Sequence, residues 1–292
     1  MSTCSRRAFS YVAAVTCREC GTECFLKKYH HTSHEVECEA QWEYKVLQIL
    51  GGEEGIAKTF LVPRVYSICT STCAFSMESL AGQSLDVHIK KTQHKQIFDD
   101  YLRLAATWLS GLHSYQVQCR IGKSPSEMLN LIKLNCASLA ARHQVAHRVL
   151  EFMQNDLAKV EQYTEKLVPM HGDFKASNLI KTNVGVYGID ISLKFKNSGA
   201  MDAAQFLADL ILNRHVIKVI RKNLAVAGIV DVFMNAYGDN SHEIRKQTAW
   251  WLLFFLLSWW KRELDGWKPA ILVDRLYSKA LTDVISFGEG IT

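Results

Sequence analysis

A chain of 292 residues can bury a sizeable core, and a make-up of 48% hydrophobic and 22% charged residues is that of an ordinary globular protein. The net charge of +5 comes from scattered basic residues, not from a basic stripe with interleaved aromatics. That excludes the usual footprint of a nucleic-acid binder and disfavours a strongly cationic substrate, leaving neutral or anionic ones as the easier fit. With four prolines, no internal repeat and no low-complexity run, no long flexible linker is visible.

Arg6-Arg7 followed by Ala8 to Val15 faintly resembles a secretory leader, but Ser10 and Tyr11 interrupt its short apolar part. A strand over 8–17 is the better reading, and the protein is expected in the cytoplasm. A turn around Gly21 leads to a second strand, Glu23 to Tyr29. Phe25, Lys27 and Tyr29 then share one face, and Cys24, Leu26 and Lys28 the other. Cys17, Cys20, Cys24, His30, His31, His34 and Cys38 crowd this region. Cys17 and Cys20 have the spacing of a metal knuckle, but no second such pair follows, so free or packed thiols are expected over zinc. Nine cysteines in so long a chain do not form a small-scaffold disulfide framework.

Residues 35–50 carry a helical pattern with Trp42, Val46, Ile49 and Leu50 as its apolar stripe, ended by Gly51-Gly52. Val62-Pro63-Arg64-Val65 begins an extended stretch, and Cys73 to Leu80 read as a last strand running into a connector. Beyond Gly82 the pattern is helical, with Ile97, Tyr101, Leu104, Trp108 and Leu112 on one face. Residues 126–167 read as two helices. Two short strands, Leu167 to Met170 and Val184 to Ile189, flank a polar loop over 171–183. The rest is mostly helical. Within it, the apolar run Ala249 to Trp260 is too short to span a bilayer, which takes about 20 residues. A buried helix is expected there, ahead of an interfacial one with Lys261 and Arg262 snorkelling. His88, His94, His143 and His147 show no partner pattern and read as surface residues. Strands first, then helices around a small β insert, give an α+β chain of two lobes. The division falls at residues 76–82, with a lobe of residues 1–79 and another of 80–292.

The chemistry lies in His171-Gly-Asp-Phe-Lys-Ala-Ser-Asn178 and Gly188-Ile189-Asp190. Phosphoryl transfer needs an oriented acceptor hydroxyl and cations on the phosphates, and little covalent work from the protein. Asp173, in a loop after an apolar strand, can orient an acceptor and take its proton. Asn178 lies five residues on, close enough for a loop to fold it back, and offers a neutral oxygen to Mg²⁺. A hairpin-like return would bring Asp190 beside it as the main carboxylate ligand.

These residues resemble the catalytic and metal loops of the protein-kinase-like superfamily, and most closely its aminoglycoside phosphotransferase and choline kinase branch. Gly172 stands where protein kinases carry the arginine of their H-R-D motif, and Asp190-Ile-Ser replaces D-F-G. The resemblance implies a small β-rich N-lobe, a larger and mainly helical C-lobe, and transfer from ATP or GTP, with Mg²⁺, to a small-molecule hydroxyl. It implies that Lys27 meets the α/β-phosphates, with Glu43 holding the lysine; Glu39, one turn earlier, stays open for that role. Backbone groups of Met77, Glu78 and Ser79 would meet the adenine, and Asp202 would brace the catalytic loop. His171 reads as structural.

Two departures stand out. No glycine precedes Gly21, so either Ser5-Arg6-Arg7 forms the phosphate-facing turn or that loop is truncated. Lys175 stands where this branch often has histidine, and its cation would face the charge developing on the γ-phosphoryl group. The missing glycines also motivate an alternative, a catalytically silent nucleotide- or ligand-binding protein. The run 249–260 motivates another, a membrane-surface kinase of a lipid-linked sugar.

Overall fold

The computed structural model describes residues 4–6, 10–29, 34–52, 60–92, 94–162, 166–212, 226–265 and 270–291. Five strands, β1 (Cys4–Arg6), β2 (Ser10–Thr16), β3 (Glu23–Tyr29), β4 (Val65–Cys69) and β5 (Ala74–Glu78), form an antiparallel sheet in the order β1-β2-β3-β5-β4. Ser5 and Arg6, expected in a phosphate-facing turn, instead pair with Val12 and Tyr11 as strand β1, while Arg7 lies outside the described residues. Lys27 sits on the central strand, between Val12 and Phe75.

Helix α1 (His34–Gly51) packs on this sheet. Its buried side chains are Ala40, Glu43, Val46, Leu47 and Leu50. Trp42 and Ile49, assigned to the apolar stripe, are instead exposed, at 36% and 38%. Trp42 reaches across to the other lobe, where its indole N–H donates to the Ser192 carbonyl.

Beyond β5 come β6 (Gln83–Ser84), α2 (Leu85–Lys91) and the long α3 (Lys95–Ser114). The buried face of α3 is Phe98, Leu102, Ala105, Trp108, Leu109 and Leu112, so Ile97 and Leu104, expected inside, are largely exposed. After β7 (Arg120–Ile121) the helical region divides at His143 into α4 (Pro125–Arg142) and α5 (Gln144–Gln162). A capping box between Ser124 and Glu127 and Pro125 in the first turn start α4, satisfying N–H groups that the helix itself cannot.

The two expected strands appear in shorter form, as β8 (Leu167–Pro169) and β10 (Val186–Gly188), but they do not pair with each other. β10 pairs with β9 (Leu179–Lys181), and β8 with β11 (Phe195–Ser198). Both partners fall in stretches read from sequence as loop or helix. Helices α6 (Gly199–Leu212), α7 (Val226–Tyr237), α8 (His242–Leu264) and α9 (Ala270–Glu289) complete the larger lobe. The apolar run sits in α8. Trp250, Trp251, Leu252, Leu253, Leu256, Leu257 and Trp260 are fully buried, and the Trp250 indole donates to the Met153 carbonyl of α5 at 2.9 Å. Among the described residues no helix is long and apolar enough to cross a membrane.

His94 and His147 are exposed, but His88 and His143 are only partly so, correcting the surface reading for that pair. His88 lies against Tyr101 and His143 against Trp260. The described cysteines with resolved side chains are free thiols, Cys17, Cys20 and Cys24 among them. Among the described residues no group of three or more His, Cys, Asp or Glu could hold a metal ion. His30 and His31, with the side chains of His34 and Cys38, lie outside the described residues.

Candidate active site

The alternation of β3 sends Lys27 inward and Lys28 to solvent; Lys27 is 4% exposed. A buried ammonium needs acceptors for its three N–H donors, and three carboxylate oxygens surround this one. Lys27 Nζ lies 2.7 Å from Glu43 Oε1, 2.6 Å from Glu43 Oε2 and 2.7 Å from Asp190 Oδ1. Burial alone would lower the lysine's pKa, but Glu43 and Asp190 together hold it above the ordinary lysine range. Burial likewise pushes the Glu43 carboxyl up, against the pull of Lys27. Glu39 takes a different partner, Lys194. Tyr29, on the same strand face as Lys27, donates its hydroxyl to Glu43 Oε2, and its ring lies 5.2 Å from the ammonium.

Met77 and Glu78 close β5, which pairs with the strand that carries Lys27, and Ser79 follows it. Met77 is buried and pairs with Phe25, while the Glu78 N–H donates to the Arg64 carbonyl at 2.8 Å.

Across the cleft, the loop after β8 is pinned by its own backbone. The N–H groups of His171 and Gly172 donate to the buried Asp202 carboxylate at 2.6 and 3.2 Å. Asp202 also lies 3.2 Å from His113 Nε2, whose other ring nitrogen meets the Tyr237 hydroxyl at 2.8 Å. Gly172 has φ +85°, and a Cβ there would approach Ser192 Oγ to 2.4 Å, so a larger residue at this point of the loop would be strained and would have to displace Ser192. His171 is fully buried, which lowers its pKa and keeps it neutral. Its Nδ1 accepts the Asp173 N–H at 3.3 Å, and its ring packs against Trp108 and Phe174.

That loop presents Asp173. Asn178 Nδ2 donates to the Asp173 carbonyl at 2.9 Å and to Oδ2 at 3.1 Å, and Lys175 Nζ lies 2.6 Å from the same Oδ2. The Ile189 N–H donates to the Asn178 carbonyl at 3.0 Å, which sets the residue before Asp190 beside Asn178. Asp190 has φ +61°, a conformation uncommon outside glycine and tolerated best by Asn and Asp. The structure thus gathers Lys27, Glu43 and Asp190 in one hydrogen-bonded cluster, and Asp173, Lys175 and Asn178 in a second, joined through Ile189.

Two residues of α6 extend the second cluster. Gln205 Nε2 donates to Asp173 Oδ1 at 3.3 Å. Asp209 has no hydrogen-bond or ion-pair partner among the described residues; burial, then the charge of Asp86, pushes its carboxyl up to about 6. Both line a cleft of about 560 Å³ that opens from Asp173 and Lys175. Asp86, Lys90, Arg262 and Glu263 add charge to its lining, and Trp259, Val273, Leu276 and Tyr277 add apolar and aromatic surface. Sequence reading missed Tyr29, Gln205 and Asp209. The signal for the last two was present: in an otherwise apolar helix, Asp202, Gln205 and Asp209 are spaced i, i+3 and i+7, on one stripe.

The Asn178 and Asp190 pair suits a hard divalent cation. With its NH₂ group committed to Asp173, the Asn178 amide keeps its oxygen as a donor. One carboxylate and one amide oxygen make a sparse set, of the kind Mg²⁺ accepts when phosphate oxygens and waters supply the rest.

A five-stranded sheet with one helix, a larger helical lobe and this loop arrangement define a protein-kinase-like phosphotransferase fold. Residues 12–189 match the model of the phosphotransferase enzyme family, and the chain belongs to that family. Solved structures share the fold. A choline/ethanolamine kinase family protein from Mesorhizobium loti aligns with a TM-score of 0.64 at 14% identity, over 99% of this chain and 93% of that one. An aminoglycoside phosphotransferase solved with ADP gives 0.59 at 16% identity, over 99% and 94%. An ethanolamine kinase of Plasmodium vivax gives 0.58 at 12% identity, over 100% and 83%. No protein of curated function matches the sequence.

Proposed function

We propose that this protein moves the γ-phosphoryl group of ATP, or of GTP, to a hydroxyl of a small-molecule acceptor. One observation carries the reading: a buried lysine is held by Glu43 and Asp190, and the segment of Asp190 is tied through Ile189 and Asn178 to Asp173, an aspartate that lines a cleft. The family and the ADP-bound relative support a nucleotide as donor.

In this reading residues 1–79 take the nucleotide and 80–292 the acceptor. Backbone groups of Met77, Glu78 and Ser79 meet the base, and Lys27 contacts the α/β-phosphates. Asn178 and Asp190 would hold Mg²⁺, which supplies positive charge between the phosphate oxygens. The acceptor enters the cleft and places its hydroxyl against Asp173. Its oxygen forms the new P–O bond as the bond to the nucleoside diphosphate breaks, and its proton passes to Asp173. Lys175 leaves Asp173 for the transferring group, where its charge counters the negative charge developing there.

The test is nucleotide binding followed by an acceptor screen. Millimolar Mg²⁺-ATP should raise the melting temperature, and the right acceptor should consume it. Asp173→Ala should cut transfer by about 10²-fold or more and leave most nucleotide affinity. Full activity in that variant would remove Asp173 from the mechanism. No thermal shift at millimolar nucleotide would point to the catalytically silent protein instead.

A further inference from the structure

We propose that Tyr29 is a positioning residue for the nucleotide lysine: its hydroxyl holds Glu43 so that Lys27 can turn a donor from carboxylate to phosphate. This rests on the nucleotide reading above.

Lys27 has three N–H groups, and all three are engaged, two by Glu43 and one by Asp190. To reach a phosphate, Lys27 must loosen one of these contacts. If Glu43 loses it, a carboxylate only 6% exposed is left short of a donor, which is costly where water cannot replace it. Among the described residues, Lys27 and Tyr29 are the only donors to Glu43. The Tyr29 hydroxyl binds Oε2, the oxygen that Lys27 approaches at 2.6 Å, so this oxygen keeps a donor when the lysine turns.

Tyr29 is built to stay in place. Residues 27 and 29 point to the same side of β3, and the Tyr29 N–H donates to the Cys73 carbonyl at 3.0 Å. Burial and the charge of Glu43 keep its hydroxyl protonated, so it remains a donor at any working pH.

Mg²⁺-ADP and adenosine are the probes, because only the first carries phosphates for Lys27. In the wild-type protein Mg²⁺-ADP should bind more tightly, and Lys27→Ala should close that gap. Tyr29→Phe should weaken Mg²⁺-ADP about tenfold and leave adenosine within about twofold of wild type. Placed in a Glu43→Gln background, where no buried carboxylate needs the hydroxyl, Tyr29→Phe should have no further effect on the ratio of the two affinities. This second comparison also serves if the single variant does not fold. An unchanged ratio in Tyr29→Phe overturns the proposal, as does an equal loss with and without Glu43. A wild-type protein with no gap between the probes sinks the nucleotide reading and the Tyr29 role together. A gap that is present in wild type and kept in Tyr29→Phe sinks the Tyr29 role alone.

Discussion

At the scale of single residues, Asp209 makes the clearest prediction. Its carboxyl titrates at about 6 in the folded chain because burial, Asp86 and Asp173 all disfavour its charge, with Lys175 and Lys90 opposing. In the unfolded chain it would titrate near the ordinary value, about 3.9. Between those values the folded state holds a proton that the unfolded state has lost. Stability therefore falls as pH rises from about 4 to about 6, and stays lowered above that. Asp209→Asn should remove the penalty, stabilising the protein by on the order of 2 kcal/mol at pH 7.5 and hardly at all at pH 4. Urea unfolding at the two pH values measures this. An equal gain at both would assign it to packing.

Residue-level legibility followed chemistry. The positions of Asp173, Asn178 and Asp190 could be proposed because phosphoryl transfer restricts which side chains serve, and the loop spacings brought them within reach of one another; Lys27, far away in the chain, rested on the family resemblance alone. Glu43 was preferred over Glu39 by the family resemblance alone, since both lie on one edge of α1. The structure gives each a lysine, Lys194 for the first and Lys27 for the second. Asp209 was marked only by its spacing from Asp202 and Gln205 on α6; that it lines a cleft could not be read, because the cleft is made with α2, α8 and α9, elements far away in the chain.

At the scale of elements, α6 works as a ruler along the loop that carries Asp173. Asp202 grips the His171 and Gly172 amides, and one turn later Gln205 reaches the Asp173 carboxylate. The contact occupies Oδ1, on the side opposite Lys175 and Asn178, and so fixes the rotation of the group. Gln205→Leu should therefore lower kcat about tenfold while leaving Mg²⁺-nucleotide affinity unchanged. Steady-state kinetics with the acceptor from the screen, set beside nucleotide titration, separates the two. A loss confined to nucleotide affinity would refute a role at Asp173.

The sequence misjudged elements in two ways. In α1 and α3 the helical period was right and Val46, Leu50, Trp108 and Leu112 are buried as expected, but the edge of the buried face was misplaced. Trp42, Ile49, Ile97 and Leu104 look like core residues by type, yet the chain buries neighbours such as Glu43, Phe98 and Ala105. Hydrophobicity sets a face only to within about 100°, and contacts with other elements set the rest. Strands β9 and β11 were missed for a different reason: at three and four residues they are too short to show any alternation.

On the scale of the whole molecule, a short strip of chain in the larger lobe takes up several contacts from the smaller one. Segment 190–194 receives Lys27 from the sheet at Asp190, and Trp42 and Glu39 from α1 at Ser192 and Lys194. Behind it, the Trp108 indole donates to the Leu61 carbonyl at 2.9 Å, and Gly188 lies so close to that indole that a Cβ would come within 1.9 Å. The hydrophobic core is likewise continuous from Val46 and Phe75 to the C-terminal helices. Sheet and helical lobe should therefore melt together. Calorimetry of the free protein should show one transition, and Mg²⁺-ADP at a hundred times its Kd should add about 2.7 kcal/mol. That should move the single midpoint up by about 4–8 °C. Lys27→Met leaves both Glu43 and Asp190 without the lysine and should destabilise the free protein by about 3–5 kcal/mol. It also removes the Lys27 to Asp190 contact between the lobes, so the sheet lobe should melt first, as a separate step. Two transitions already present in the wild-type protein would mean that the lobes are stable independently and that the Lys27 to Asp190 contact does not couple them.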